Sequence, residues 1–461
     1  MNIEPALAHA KARREDFVSD LKELVKVPSV SFPGFDPRRV RDSAEAVAAL
    51  MRARGLEHVE LLKLPGAHPY VYGDWLHAPG APTLLLYAHH DVQPAGREEL
   101  WKSPPFEATE RGGRLYGRGA ADDKAGVVVH TSAVSSCLKA LGALPVNVRF
   151  LIEGEEEAGS EHLQEFLRKH RTKVAADVMV LTDAGNYDTG VPSLTTALRG
   201  LVCFDVTVRS ADHPLHSGMW GGPLVDPAQA LAKMIASVTD PMGRLAVPGL
   251  SAKVRRLTGA EEASLRSLRY TEKDFRKQSG LLPQTRILGD RKGLLRQMWY
   301  EPSFSVNAIQ VSSRKDCANI INESAWCHMG LRIVQDMDPK DCARRLKRHL
   351  LKHAPWGVAV EFSKESSSPA WSTSPESRAL RAAARALEKG FGRKAVFIGC
   401  GGSIPFTGPF SKALGGAPAI LIGVEDPYSN AHSENESVHL GDFAKTIRSA
   451  IHLYSELSWT R

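Results

Sequence analysis

The sequence predicts an α/β protein: an open mixed sheet with helices on both faces, into which a separate α+β domain is inserted. Three observations carry this. As far as Asp183, short apolar runs alternate with helical segments, the pattern of a sheet covered by helices on its faces. From Arg199 to Thr373 the texture changes to strands of alternating character and two amphipathic helices, which indicates a second domain of α+β type. A chain of 461 residues with 43% hydrophobic content also exceeds one ordinary domain and can fill two cores.

The elements follow in order. Phe17, Leu21, Leu24 and Val25 fall at helical spacing and Pro28 stops the run, so an amphipathic helix opens the chain. Residues 83–87 (TLLLY) read as a strand ending in Ala88-His89-His90-Asp91. A second strand, 146–152, ends in the acidic run Glu153-Gly154-Glu155-Glu156-Glu157, and a third, 178–181 (VMVL), ends in Thr182-Asp183. Near the C-terminus, 395–398 runs into Cys400-Gly401-Gly402-Ser403, and 419–422 precedes the loop that carries His432. The inserted domain holds strand candidates at 201–208, 304–311, 326–334 and 358–362, with helices near 227–238 and 339–351. The expected boundaries are 1–198 and 374–461 for a discontinuous first domain and 199–373 for the second. Residues 240–300 resist assignment.

Composition narrows the partners. The formal charge is +7, but basic residues are interleaved with acids, and the densest basic stretch lacks the aromatic residues of a base-stacking platform. No nucleic-acid partner is expected. The first twenty residues build no apolar core of a signal peptide, and no run approaches the roughly 20 apolar residues of a membrane span. Six scattered cysteines (Cys137, Cys203, Cys317, Cys327, Cys342, Cys400) form no CxxC pair, which suits reduced thiols in cytoplasm.

In open α/β sheets ligands bind outside the carboxyl ends of the strands, so the polar residues that end these runs are expected to converge. Two neighbouring divalent cations need a carboxylate between them and His and carboxylate ligands on each side. His89, Asp122, Glu157, Asp183 and His432 supply that set. Asp91, in His-x-Asp, can bond the imidazole nitrogen that faces away from the metal. Asp122 sits in the glycine-rich turn Gly117-Arg118-Gly119-Ala120-Ala121-Asp122-Asp123-Lys124. Each residue alone has a plainer reading: a surface histidine, a solvated acidic face, a helix cap. Their conjunction shifts the balance, because adjacent carboxylates behind a buried strand repel unless cations are present. Rival motifs fail. A carboxylate at Asp122 would repel a dinucleotide's pyrophosphate, Gly401-Gly402-Ser403-Ile404-Pro405 ends in proline where a nucleophile elbow needs glycine, and no phosphate-binding P-loop is present.

The segments YAHHDVQP from Tyr87, LYGRGAADDK from Leu115, EGEEEAGS from Glu153, LTDAG from Leu181, HPLHSG from His213, GGSIP from Gly401 and AHSENE from Ala431 resemble, in order, those of the metallopeptidases that include carnosinases, aminoacylase, carboxypeptidase G and the acetylornithine and succinyl-diaminopimelate deacylases. Within that family the chain is most similar to the carnosinase-like dipeptidases. The resemblance implies that Asp122 bridges two cations, with His89 and Asp183 on one and Glu157 and His432 on the other, and that a cis peptide follows Asp122. It implies Glu156 as general base, and a lid domain that forms a homodimer through which His216 reaches the partner's site to hold the oxyanion. Arg332, with Gly402 and Ser403, is implied at the substrate, Arg332 on its carboxylate. Zinc, manganese and cobalt all suit such ligands.

The expected activity is hydrolysis of the amide bond of a dipeptide or short peptide, with Glu156 taking the proton of a water activated by the cations and returning it to the leaving amine. The alternative is an N-acyl amino acid deacylase of the same family, because Cys400 stands where these dipeptidases often carry a glutamate that holds the substrate's amino group. A non-catalytic binding protein of the same fold ranks last, since all five ligands and the base are kept.

Overall fold

The computed structural model describes residues 1–289, 293–315, 317–404, 407–413 and 415–458. The chain divides into two compact units. One comprises Met1–Thr196, Thr373–Ile398 and Phe406–Arg461, and the other Ala197–Ser372 and Gly399–Pro405. The sequence reading assigned everything after 373 to the first domain. The segment beginning at Gly399 instead belongs with the second unit, where the guanidinium of Arg199 is bonded to the carbonyl of Gly401. Pro405 of the GGSIP motif lies outside the described residues.

In the first unit four parallel strands, Asn147–Glu153, Thr83–His89, Val178–Leu181 and Ala419–Leu421, lie side by side in that order. Antiparallel strands extend both edges: Tyr70–Trp75 and Glu57–Leu62 on one, Ser193–Leu198 on the other. The parallel strands are largely apolar because both faces are covered, and the run from Leu84 to His89 is entirely buried. His89 is paired opposite Glu153 and Tyr87 opposite Leu181, so two central strands end level and the third stops two residues short of them. The chain leaves Thr83–His89, returns on one side as Asn147–Glu153, then crosses to the other side as Val178–Leu181. That reversal opens a crevice at the carboxyl ends.

The crossover helix Lys124–Leu141 is buried from Lys124 through Cys137. It stops at Gly142, whose φ of +72° is the left-handed cap that glycine adopts without penalty. Near its start it passes so close to the strand end that a side chain at Gly126 would collide with Thr182 and Asp123. The helix expected from Phe17 to Val25 is Arg14–Val25, but it does not open the chain: Glu4–Ala12 precedes it. The second unit is an antiparallel sheet ordered Ser303–Gln310, Ser324–Ile333, Gly200–Arg209, Ala359–Ser368. Helices Pro227–Ala236 and Pro339–Lys352 pack into its core, each begun by an aspartate cap, Asp226 or Asp338, before a proline. Among the described residues there is no disulfide, and no helix is long and apolar enough to cross a membrane.

Candidate metal centre

The first unit gathers His89, Asp91, Asp122, Glu156, Glu157, Asp183 and His432 at the carboxyl edge of its parallel strands. Asp122 is the hub. Its Oδ1 lies 3.0 Å from His89 Nε2 and its Oδ2 3.0 Å from His432 Nε2. His432 Nε2 is 3.3 Å from Glu157 Oε2, and His89 Nε2 is 4.0 Å from Glu156 Oε2. Two ligand groups result, His89 with Asp122 and Asp183, and Asp122 with Glu157 and His432; within each, the donor atoms lie within 4.8 Å of one another. The peptide bond between Asp122 and Asp123 is cis.

Asp91 does more than orient His89. The nearest acceptor to His89 Nδ1 is the Asp91 carbonyl oxygen at 3.1 Å, with the carboxylate at 3.5 Å. The same carboxylate accepts the backbone N–H groups of Glu156 and Glu157 at 3.2 and 3.0 Å, and the Ser31 hydroxyl at 2.6 Å. One buried aspartate thus fixes the histidine and the turn that aims both glutamates. Gln93 donates to Glu157 Oε2 at 2.7 Å, and Tyr87 donates to Glu153 Oε2 at 2.7 Å.

Electrostatics mark the place as one built for cations. Burial, then the charge of Asp122, pushes the Glu157 carboxyl up to about 8. Burial likewise raises Asp183 to about 6, against the favourable charge of His89 and with repulsion from Asp122. Glu156 is raised well above the ordinary range by burial and by Asp183. Burial opposes the ionisation of Asp122, yet its hydrogen bonds with both histidines hold it below the ordinary range. So many acidic groups in one crevice repel as anions, and divalent cations among oxygen and imidazole donors remove that cost. The donor set therefore fits a pair of such cations.

The second unit holds the remaining candidates. Arg332 Nη1 donates to Ser403 Oγ at 2.8 Å, and that hydroxyl donates to the Arg199 carbonyl at 2.7 Å. Arg199 Nε donates to the Gly401 carbonyl at 2.9 Å, and its backbone N–H to that of Gly402 at 3.2 Å. Burial, then repulsion by Arg332, lowers Arg199 to about 10. Two guanidinium groups beside a backbone turn make an anion-receptive corner. His216 ends a short strand, Leu215–His216, and its side chain is exposed. Its Nδ1 accepts from the N–H groups of Gly218 and Met219 at 3.1 and 3.3 Å, which leaves Nε2–H as an outward donor.

Sequence reasoning missed Ser31, Gln93, Arg199 and Glu425. Gln93 stands inside the quoted HHDVQP motif and Arg199 just precedes the inserted strands, so both had a local signal. Ser31 had none. Glu425, bridged beside Gly185 after the strand Ala419–Leu421, is raised well above the ordinary range by burial and then by Asp122 and Asp183. Only the topology brings it to the centre.

A crevice at the end of a parallel sheet, lined by imidazoles and carboxylates in two groups with an uncommitted glutamate alongside, defines a hydrolase of the metal-dependent class. Residues 85–456 match Peptidase family M20/M25/M40. A Cysteinylglycine-S-conjugate dipeptidase of Corynebacterium striatum is 34% identical over 78% of this chain and 77% of its own. A Cys-Gly metallodipeptidase of Schizosaccharomyces pombe is 30% identical over 97% of each chain. The crystal structure of human carnosine dipeptidase 1 superposes with a TM-score of 0.87 at 26% identity, covering 99% of this chain and 98% of that one. The chain belongs to Peptidase family M20/M25/M40. It is accordingly a metallopeptidase, a hydrolase acting on peptide bonds, as the resemblance of its motifs implied.

Proposed function

We propose that the chain hydrolyses dipeptides with two divalent cations, zinc, manganese or cobalt, held by His89, Asp122, Asp183, Glu157 and His432. The observation that carries this reading is Asp122, whose two oxygens face two different histidines at 3.0 Å each. When bound, the cations supply Lewis acidity and a water acidic enough to ionise near neutrality. Glu156, whose Oε2 lies 4.0 Å from His89 Nε2, would take the proton of the attacking water and return it to the leaving nitrogen. Asp91 keeps His89 and the Glu156 turn in register. His216 offers Nε2–H to the developing oxyanion of a second copy's substrate, in a homodimer formed through the second domain (199–373). Arg332, seated on Ser403 beside Gly402, clamps the substrate's carboxylate.

The substrate class follows from the relatives named above, which act on Cys-Gly conjugates, Cys-Gly and carnosine by their names. Free dipeptides with a terminal carboxylate are favoured. The N-acyl amino acid reading is not favoured, because those relatives are named as dipeptidases. The six cysteines, without a disulfide among the described residues, support a reducing cytoplasmic location. The test is a panel of Cys-Gly, β-Ala-His, N-acetyl and N-succinyl amino acids offered to metal-reconstituted protein. Turnover of dipeptides at about 10²-fold or more above the acylated compounds is expected, since a site with buried polar groups built for one substrate rejects an analogue that leaves them unpaired. Preferential deacylation would overturn it.

A further inference from the structure

Glu436 is a carboxylate that none of the roles above uses, and it is fully buried. Its Oε1 accepts the backbone N–H groups of Ala121 and Asp122 at 2.9 and 3.1 Å. Its Oε2 accepts the N–H of Gly119 at 3.1 Å and Arg118 Nη1 at 2.6 Å. Arg118 is as deeply buried as its partner, and its guanidinium lies over the Trp101 ring at 5.5 Å. Its Nη2 donates to two carbonyls at once, Pro94 at 3.0 Å and Ser433 at 3.1 Å. Pro94 closes the segment that begins at His89, and Ser433 follows His432 directly. The Glu436 carbonyl also accepts the Gly117 N–H at 3.0 Å, and beyond it Ser437–His439 pairs with Arg114–Tyr116.

We infer that the buried pair Arg118–Glu436 is a positioning device that ties together the loop following His89 and the loops bearing Asp122 and His432, and that it acts mainly on the cation held by Asp122, Glu157 and His432. The asymmetry comes from how the ligands are mounted. His89 is the last, paired residue of a central strand and Asp183 lies two residues beyond the end of the next, so both are mounted close to the sheet. His432 has no such support: it stands on a loop at φ +62° with 59% of its side chain exposed. Its reach toward Asp122 depends on Ser433 and Glu436 being fastened to the turn that contains Asp122. Four donors converge on Glu436, so the site demands a full carboxylate. An amide there would set its NH2 against the Gly119 N–H and the Arg118 fork.

This rests on the two-cation reading, and the test separates the two. Full-length protein stripped by chelator is titrated calorimetrically with Mn2+. Wild type should take two equivalents; a single equivalent would remove the reading and this inference with it. In Glu436→Gln the first equivalent should stay within about threefold of wild type while the second weakens by about 10- to 100-fold, the usual cost of losing support behind a metal ligand. The Mn2+ concentration for half-maximal activity should rise in parallel, with KM for a dipeptide unchanged once Mn2+ is saturating. Arg118→Lys keeps the charge but cannot span Glu436, Pro94 and Ser433 together, and serves as the second variant should Glu436→Gln fail to fold. It should show the same graded loss. Equal weakening of both equivalents, weakening of neither, or a fall in kcat with both equivalents bound at wild-type affinity would overturn the inference.

Discussion

The two halves of the centre are built differently. His89 is the buried last residue of one parallel strand, and Asp183 follows its neighbour, Val178–Leu181, by two residues. Glu157 and His432 stand on loops, one held by Asp91 and Gln93, the other largely exposed, meeting Asp122 with its ring and tied down through Ser433 and Glu436. Asp122 belongs to both. On the proposed two-cation reading, the strand ends of a parallel sheet bring one group of ligands together, while the other group needs a hydrogen-bonded scaffold. Perturbations should separate them.

The largest effect belongs to the shared residue. Asp122→Ala should remove both cations and lower kcat/KM by at least about 10³-fold, because the several kcal/mol of charge stabilisation supplied by the cations goes with them; metal analysis after dialysis checks the cause. Next is Glu156→Ala, which should lower kcat by about 10²- to 10⁴-fold as a lost general base. Both cations should remain, so the pairing of silent kinetics with full metal content distinguishes it from Asp122. A sharper division comes from His432→Ala against Asp183→Asn. The first should weaken one equivalent and spare the other, and the second should do the converse, as paired titrations would show. If either substitution weakened both equivalents alike, the halves would not be separable.

The smallest effect is on stability. Burial raises Glu157 to about 8 and Asp183 to about 6, from ordinary values of 4.5 and 3.8. Between those values the folded chain keeps protons that the unfolded chain has released, so stability falls as pH rises through that window. His432, raised to about 9 by its hydrogen bond with Asp122, acts in the same direction: its contribution is complete below 6.5 and fades as pH climbs toward 9. Chelated protein should therefore melt at a lower temperature at pH 8 than at pH 5.5, and saturating cation should flatten the difference. Glu157→Gln should shrink it in the chelated state.

Much of the centre was legible in the sequence because strand ends are. His89, the acidic run and Asp183 each close an apolar run, and buried parallel strands announce themselves by lacking alternation. Where support comes from side chains meeting across the fold, the sequence was silent. Ser31 on Asp91 and Arg118 on Glu436 are 60 and 318 residues apart, and nothing in either segment names its partner. The assignment of Gly399 and its followers failed for a similar reason: the segment continues a strand of the first unit but is bonded to Arg199. Residues 240–300 hid readable signals. Thr258 with Glu261, and Thr271 with Asp274, are capping boxes opening the helices Gly259–Ser267 and Glu272–Ser279. Their helices are short and bury no residue fully, so no apolar periodicity drew attention to them.

Anomalous diffraction from crystals grown with Mn2+ tests the central claim most directly. Two peaks should appear, with the Asp122 carboxylate between them, one shared with His89 and Asp183 and the other with Glu157 and His432. A single peak, or peaks away from Asp122, would contradict it.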